Sequence, residues 1–194
     1  MGEVDVNRNT TRWSVIPVFV AVAVLSAFIP LANAGKTKPF KEVCSGADSS
    51  SNVSFDGSGV AGQYTAECHT NIDGPGIKSG LAQNVSSSSG SCTAPDGTTG
   101  TQYNLLNRIA VTTSNKDGSQ IISISNSGVE CISNTTNVYG KTENWTISGG
   151  TGRFKNATGS GTETITGQIL SEPSSPGYGK FGVEQTNSTG TISW

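Results

Sequence analysis

Ser148-Gly-Gly-Thr-Gly-Arg-Phe-Lys-Asn-Ala-Thr-Gly-Ser-Gly161 is the stretch that decides the fold. Glycine adopts positive φ and lets two backbones approach closely, so these glycines predict two bends between strands. The first group, Gly149, Gly150 and Gly152, is predicted to form a tight reversal after the strand that ends at Ile147. The second group, Gly159 and Gly161, is predicted to form a bend before a strand from Thr162 to Leu170. Phe154, the one large apolar side chain between the bends, is predicted to plug a barrel end or a sheet corner.

Apolar and polar residues alternate along the rest of the chain, which predicts short strands and almost no helix. In the segment 60–68, Tyr64 shares its parity with small and apolar residues. A later strand is predicted to place Arg108 opposite its apolar face, which consists of Tyr103, Leu105, Ile109 and Val111. About eight to ten such strands, joined by turn-rich loops, predict an all-β fold. We expect a single antiparallel eight-stranded β-barrel with meander connections.

The segment from Gly149 to Gly161 resembles the Gly-Gly-Thr-Gly-(Arg/Lys)-Phe-x-x-Ala-x-Gly element of the allene oxide cyclase barrel-like and dirigent-like families. This resemblance implies an eight-stranded barrel with a partly apolar cavity. Members of those families include a cyclase and proteins that direct radical coupling, but the motifs that carry those activities are not found in this sequence. The chain is also similar to small exported bacterial proteins of unassigned function, which carry a segment like Cys92-Thr-Ala-Pro-Asp-Gly97.

Residues 1–34 have the pattern of a secretory signal peptide. Arg8 and Arg12 precede an apolar run from Val15 to Leu31, and Ala32-Asn33-Ala34 offers a small-x-small cleavage site before Gly35. An uncleaved anchor is the alternative, because the run is long and lysines follow it. We expect a secreted or periplasmic protein that meets a membrane only through this segment, if the segment stays uncleaved.

The chain that remains after cleavage has the size of one domain. Removing 34 residues from 194 leaves 160, enough for a single core. We assign residues 35–51 to a lead-in arm held by Cys44, and residues 52–194 to the barrel domain. The net charge is −2 and no basic stripe is present, which argues against a nucleic-acid partner.

All four cysteines follow the predicted leader, and an even number in an oxidising compartment favours two disulfides. Three pairings are possible, and the residues alone do not rank them. We favour Cys44 with Cys68, and the resemblance to the exported bacterial proteins implies Cys92 with Cys131. No Cys-x-x-Cys spacing occurs, and His69 faces the opposite side of its strand from Cys68, so no metal and no cofactor are predicted.

Two glutamates share strand parity with predicted core residues. Glu143 lies two residues before Trp145, and Glu163 lies two residues before Ile165, so both carboxylates are predicted to face the interior. A carboxylate in an apolar lumen has a raised pKa and can act as an acid or base, or hold a polar ligand group. The candidate ligand-binding residues are Glu143, Glu163, Tyr64 and Trp145. Alternatively, both glutamates reach bulk water at the barrel mouth.

No catalytic residue is assigned, because the sequence has no nucleophile elbow in a strand-to-helix context and the single histidine has no placed partner. Whether the protein is an enzyme is left open. We favour an exported barrel that binds a small apolar or amphipathic molecule without catalysis. The alternatives are an enzyme of the cyclase or coupling-director type, and a structural or surface protein with a filled barrel. A hollow apolar lumen favours the first two functions, and a filled lumen favours the third.

Overall fold

Strands make up most of the chain that the structure, a computed structural model, describes: residues 35–51, 59–85, 88–171 and 180–194. The strands are β1 Lys38–Ser51, β2 Gly59–Thr70, β3 Gly74–Val85, β4 Gly90–Thr93, β5 Thr99–Ser114, β6 Gln120–Ser133, β7 Val138–Gly150, β8 Thr158–Ser171 and β9 Lys180–Ser193. A 3₁₀ helix, Gly152–Phe154, lies between β7 and β8. Among these residues no helix is long and apolar enough to span a membrane. The predicted signal peptide lies outside the described residues.

The strands close into an eight-stranded antiparallel barrel, as predicted. Except for β3 and β4, strands that follow each other in the chain pair with each other, and β9 pairs with β1 to complete the ring. β3 pairs with the second half of β5, whereas the short β4 pairs with the first half. β3 and β4 therefore share one position in the ring, each beside a different half of β5. Closing a sheet in this way is how up-and-down barrels remove their edge strands.

The first barrel strand lies where a lead-in arm was predicted. Residues 38–51 form β1, which pairs with β2 on one side and with β9 on the other, so the prediction of an arm is wrong for these residues. The pattern was missed because the inward positions of β1 are not uniformly apolar. Phe40, Glu42 and Cys44 are all buried, with a charged residue between the two apolar ones.

Both predicted disulfides are present, and they join neighbouring parts of the barrel wall. Cys44 and Cys68 are directly opposed on β1 and β2. Cys92 on β4 reaches across β5 to Cys131 on β6. Gly100 of β5 lies beneath this bridge, and a Cβ added there would be 3.0 Å from Cys131 Sγ. Two disulfides are consistent with an oxidising extracellular or periplasmic location.

An apolar plug fills the end of the lumen where β7 passes to β8. Its buried members are Phe40, Ile121, Trp145, Phe154, Ala157 and Ile192. The rings of Phe40 and Trp145 meet edge to face with centroids 5.5 Å apart. Phe154, which is 1% exposed, makes a similar contact with Trp194 at 5.6 Å. Aromatic pairs in these geometries add to the stabilisation that burial provides.

The reversal between β7 and β8 is built differently from its prediction. Gly149 and Gly150 are the last two residues of β7, and the chain turns through the 3₁₀ helix instead of a tight hairpin turn. Gly152 begins this helix with a φ of +57°, a conformation that side chains with a Cβ rarely adopt. A hydrogen bond from the Phe154 amide to the Thr151 carbonyl closes the turn of this helix. The side chain of Phe154 then packs in the plug.

Gly159 and Gly161 lie inside β8 and do not form a second bend, because β8 begins at Thr158. Their lack of a side chain makes room for the plug. A Cβ added at Gly161 would lie 2.5 Å from Trp145 Cζ2, and one added at Gly190 on β9 would lie 2.8 Å from the same atom. The glycines of this segment therefore fix where the indole ring sits.

Arg153 connects this reversal to two other turns at the same end of the barrel. Its guanidinium contacts Asp73 in the β2–β3 turn and lies 3.6 Å from Asp117 in the β5–β6 turn. The guanidinium carbon also lies 4.7 Å from the centroid of the Phe154 ring. One arginine thus links three connections across the closed end.

Gly161→Ala is expected to lower the free energy of unfolding by about 1–3 kcal/mol, because the added methyl group collides with the Thr189 carbonyl oxygen and with Trp145. Gly149→Ala is the matched control, since a Cβ at that position meets nothing within 4 Å. Urea denaturation of both variants measures the difference. Equal stability of the two variants would contradict the packing described.

Candidate functional site in the lumen

The middle of the lumen is lined by charged side chains. We call the following five buried residues, one from each of five strands, the central network: Glu42 (β1), Lys78 (β3), Arg108 (β5), Glu143 (β7) and Glu163 (β8). Glu143 and Glu163 are cross-strand neighbours on β7 and β8. Each residue occupies an inward position of its strand, where alternate residues share one face.

The charges of the central network alternate in sign. Lys78 Nζ lies 2.7 Å from Glu42 Oε1 and 2.5 Å from Glu163 Oε2. Arg108 Nη1 contacts one oxygen of Glu163 and one oxygen of Glu143. The order across the lumen is therefore Glu42, Lys78, Glu163, Arg108 and Glu143, with each cation between two carboxylates.

These contacts outweigh the cost of burial for the groups at the centre. Burial alone would raise the pKa of Glu163, but Lys78 and Arg108 hold it at about 2. Burial likewise opposes the charge of Lys78, yet Glu163 and Glu42 raise its pKa. The hydroxyl of Ser188 also donates to Glu163. Glu163 and Lys78 are therefore ionised at neutral pH.

Arg108 reaches the lumen because the pairing of β5 with β3 is irregular. Gln83 opposes Asn107 but Asn84 opposes Leu105, so β5 contains one extra residue, a bulge, just before Arg108. As a result Leu105 and Arg108 are both buried, while Ile109 is 53% exposed. The prediction that Arg108 faces away from the interior was wrong, because a bulge reverses the parity of a strand.

A second group of polar side chains lies further from the plug. The hydroxyl oxygen of Tyr139 is 3.1 Å from Asp48 Oδ1 and 3.3 Å from Glu184 Oε2. Lys141, two residues along β7, places its Nζ 3.5 Å from Glu130 Oε1. We call these five residues the tyrosine cluster.

The tyrosine cluster has one hydroxyl proton between two carboxylates. Burial, together with Glu184 and Asp48, raises the pKa of Tyr139, so its hydroxyl keeps its proton. Burial raises the pKa of Glu184 as well, although Lys141 opposes the shift. The Tyr139 hydroxyl oxygen lies within donating distance of both carboxylates, and a protonated Glu184 carboxyl can in turn donate to it.

A small cavity separates the central network from the tyrosine cluster. Its volume is about 20 Å³, which is room for about one water molecule. Arg108 and Glu143 of the central network line it together with Tyr64, and so do Lys141 and Glu184 of the tyrosine cluster. The Arg108 guanidinium carbon lies 4.5 Å from the centroid of the Tyr64 ring.

The structure separates the four predicted ligand-binding residues. Tyr64 and Glu143 line the cavity, Glu163 lies in the central network, and Trp145 belongs to the plug. Each glutamate is only 2% exposed, so neither reaches bulk water at a barrel mouth. A ligand-binding role for the four residues stays a prediction.

Sequence reasoning missed the two cations of the central network, because charged side chains are normally placed on the outer face. For Lys78 a local pattern was available. Gly76 and Gly80 share its parity, and Tyr64 packs over the bare face of Gly80, with 2.8 Å from its Cζ to a Cβ added there. Glycines on the same strand face as Lys78 indicate that this face is crowded by side chains from other strands, as Tyr64 shows at Gly80.

Among the residues that the structure describes, one group has the spacing of metal ligands: Glu42 with Cys44 and Cys68. Because the two sulfurs are joined in a disulfide, they are not available as thiolates. His69 is exposed on the outer face of β2.

Comparisons with protein-family models, with curated proteins and with solved structures found no match to this chain. The barrel implied by the resemblance is confirmed by the structure. Membership of the allene oxide cyclase barrel-like or dirigent-like families stays a prediction.

Lys78→Met is expected to destabilise the fold by about 3–5 kcal/mol, because it leaves Glu42 and Glu163 buried without their shared cation. Lys41→Met is the matched control, since Lys41 is exposed on β1 and its substitution is expected to cost no more than about 0.5 kcal/mol. Both are measured by chemical denaturation at neutral pH. A small effect at Lys78 would show that the network contributes little to stability.

The raised pKa of Glu184 predicts a pH dependence of stability. A carboxyl whose pKa is higher in the folded state stabilises the fold fully below its unfolded pKa, and this contribution is lost as the pH rises through the folded pKa. Glu184→Gln keeps the hydrogen bond to Tyr139 without the titration. Subtracting its unfolding free energy from that of the wild type across the acid range is expected to give a difference that falls with rising pH. A difference that rises with pH would contradict the prediction, because it would mean that folding lowers the pKa of Glu184.

Proposed function

We propose that this protein is an exported, filled β-barrel that serves as a structural or surface module, and that its lumen does not take up an apolar ligand. The central network carries this proposal, because it crosses the lumen between the plug and the tyrosine cluster. Export is supported by the two disulfides and by the predicted leader.

Among the described residues, the size of the cavity beside Tyr64 favours a filled interior over a ligand-binding one. Sites for small molecules typically have volumes of about 300–1,000 Å³, whereas the cavity beside Tyr64 measures about 20 Å³. An apolar guest would have to displace plug residues or separate buried ion pairs. Separation of a buried pair leaves an uncompensated charge, at a cost of several kcal/mol per ion.

The enzyme alternative requires an inward carboxylate beside an aromatic wall and an open cavity. Glu143 and Glu163 are inward, but both contact Arg108. General acid–base catalysis at neutral pH works best with a pKa near the working pH, whereas Glu163 is held at about 2. These contacts favour a structural role for the two carboxylates.

The contacts of such a module with other molecules are made by its outer face. Outward positions of β7, β8 and β9 carry short uncharged polar side chains, all of them exposed: Thr142, Asn144, Thr162, Thr164, Asn187 and Thr189. On β5 the outward Ile109 is exposed as well. The outer wall therefore offers a hydroxyl-rich face, and it also exposes single apolar side chains such as Ile109.

Titration with an apolar fluorescent probe, together with native mass spectrometry, tests the proposal. The wild type is expected to show no saturable binding and the mass of the disulfide-bonded polypeptide alone. Trp145→Ala opens a space in the plug and is the positive control, with Ile192→Ala as a second variant if the first does not fold. Saturable one-to-one binding by the wild type, weakened by Tyr64→Phe, would overturn the proposal in favour of a ligand carrier.

A further inference from the structure

Apart from Glu143 Oε1, which contacts Arg108 Nη1 in an ion pair, three polar atoms without a hydrogen-bond partner belong to side chains that line the cavity beside the central network. They are the Tyr64 hydroxyl, Arg108 Nη2 and Glu143 Oε2, for which no hydrogen bond of acceptable geometry is formed with the described residues. All three side chains are more than nine-tenths buried. A buried polar atom left in this way costs about 1–3 kcal/mol, more if it is charged.

The three atoms differ in what they require. Arg108 Nη2 is a donor, Glu143 Oε2 is an acceptor, and the Tyr64 hydroxyl is both. A group that satisfies them must donate and accept at once, which a hydroxyl does and a bare cation or anion does not. The volume of about 20 Å³ admits one such group.

We propose that this cavity is a binding site for a single hydroxyl group, supplied either by a water molecule or by a small alcohol. The group accepts from Arg108 and donates to Glu143, with Tyr64 as its third partner. Arg108 Nη1 already contacts the other oxygen of Glu143 directly. The bound hydroxyl group bridges the remaining two atoms, Arg108 Nη2 and Glu143 Oε2. This site is compatible with a filled barrel and does not depend on the proposed function.

Charged guests fit the cavity less well. Arg108 and Lys141 both line it and oppose a cation, while Asp48, Glu143 and Glu184 line it and oppose an anion. Within the described ranges, the carboxylates around this cavity do not converge as metal ligands do, since the one such group is at Glu42.

The test is a high-resolution crystal structure of the wild type grown from salt without alcohols, followed by a soak in methanol. The proposal predicts one oxygen peak about 2.7–3.2 Å from Glu143 Oε2 and Arg108 Nη2. Replacement of the peak by methanol identifies an alcohol site, and an unchanged peak identifies a water site. No peak, with Glu143 and Arg108 paired directly at both atoms, would overturn the proposal. So would a cation with six or more oxygen ligands at about 2.3–2.6 Å.

Oxygen-17 relaxation dispersion provides a solution test of the same site. Tyr64→Phe keeps the ring over Arg108 but removes one partner of the guest, so the signal of one long-lived water is expected to be lost. Tyr103→Phe is the matched control, because Tyr103 does not line the cavity. Loss of the same signal in both variants, or in neither, would contradict the assignment.

Discussion

The alternation of charge across the lumen is the constraint on which the interior of this barrel depends. Glu42, Lys78, Glu163, Arg108 and Glu143 are all buried, and removing an ion from water costs several kcal/mol unless a partner of opposite charge lies beside it. Here each cation contacts two carboxylates, so the two positive charges hold three negative ones in place. Since the five residues come from five different strands, the contacts between them also tie opposite walls of the barrel together.

The fold supplies this arrangement through backbone details. The bulge in β5 turns Arg108 inward, and the bare face of Gly80 leaves room for the ring of Tyr64. At the plug, Gly161 leaves space for the indole of Trp145, which closes the lumen on the apolar side. On the other side the tyrosine cluster holds more carboxylates than cations, and burial together with Asp48 raises the pKa of Glu184. The lumen thus passes from apolar to ionic to hydrogen-bonded along the barrel axis.

Much of the fold could be predicted from the sequence, but only part of the site. Period-two alternation and the glycine-rich reversal indicate an antiparallel barrel, and the parity of Glu143 with Trp145 places that carboxylate inside. The cations were missed because hydrophobic alternation assumes an apolar interior, whereas β5 buries Arg108 and exposes Ile109. The same assumption concealed β1, whose inward face includes Glu42. Long-range charge pairing, such as that between Lys78 and Glu163, has no local trace in the sequence.

The most direct test of this account is a double-mutant cycle on Lys78 and Glu163, with Lys78→Met, Glu163→Gln and the double variant compared by chemical denaturation. A buried pair within a network predicts a coupling energy above the value of about 1 kcal/mol that exposed pairs rarely exceed. Additivity within about 0.5 kcal/mol would mean that the two groups do not interact appreciably, and it would contradict the view that an ion-pair network fills the lumen.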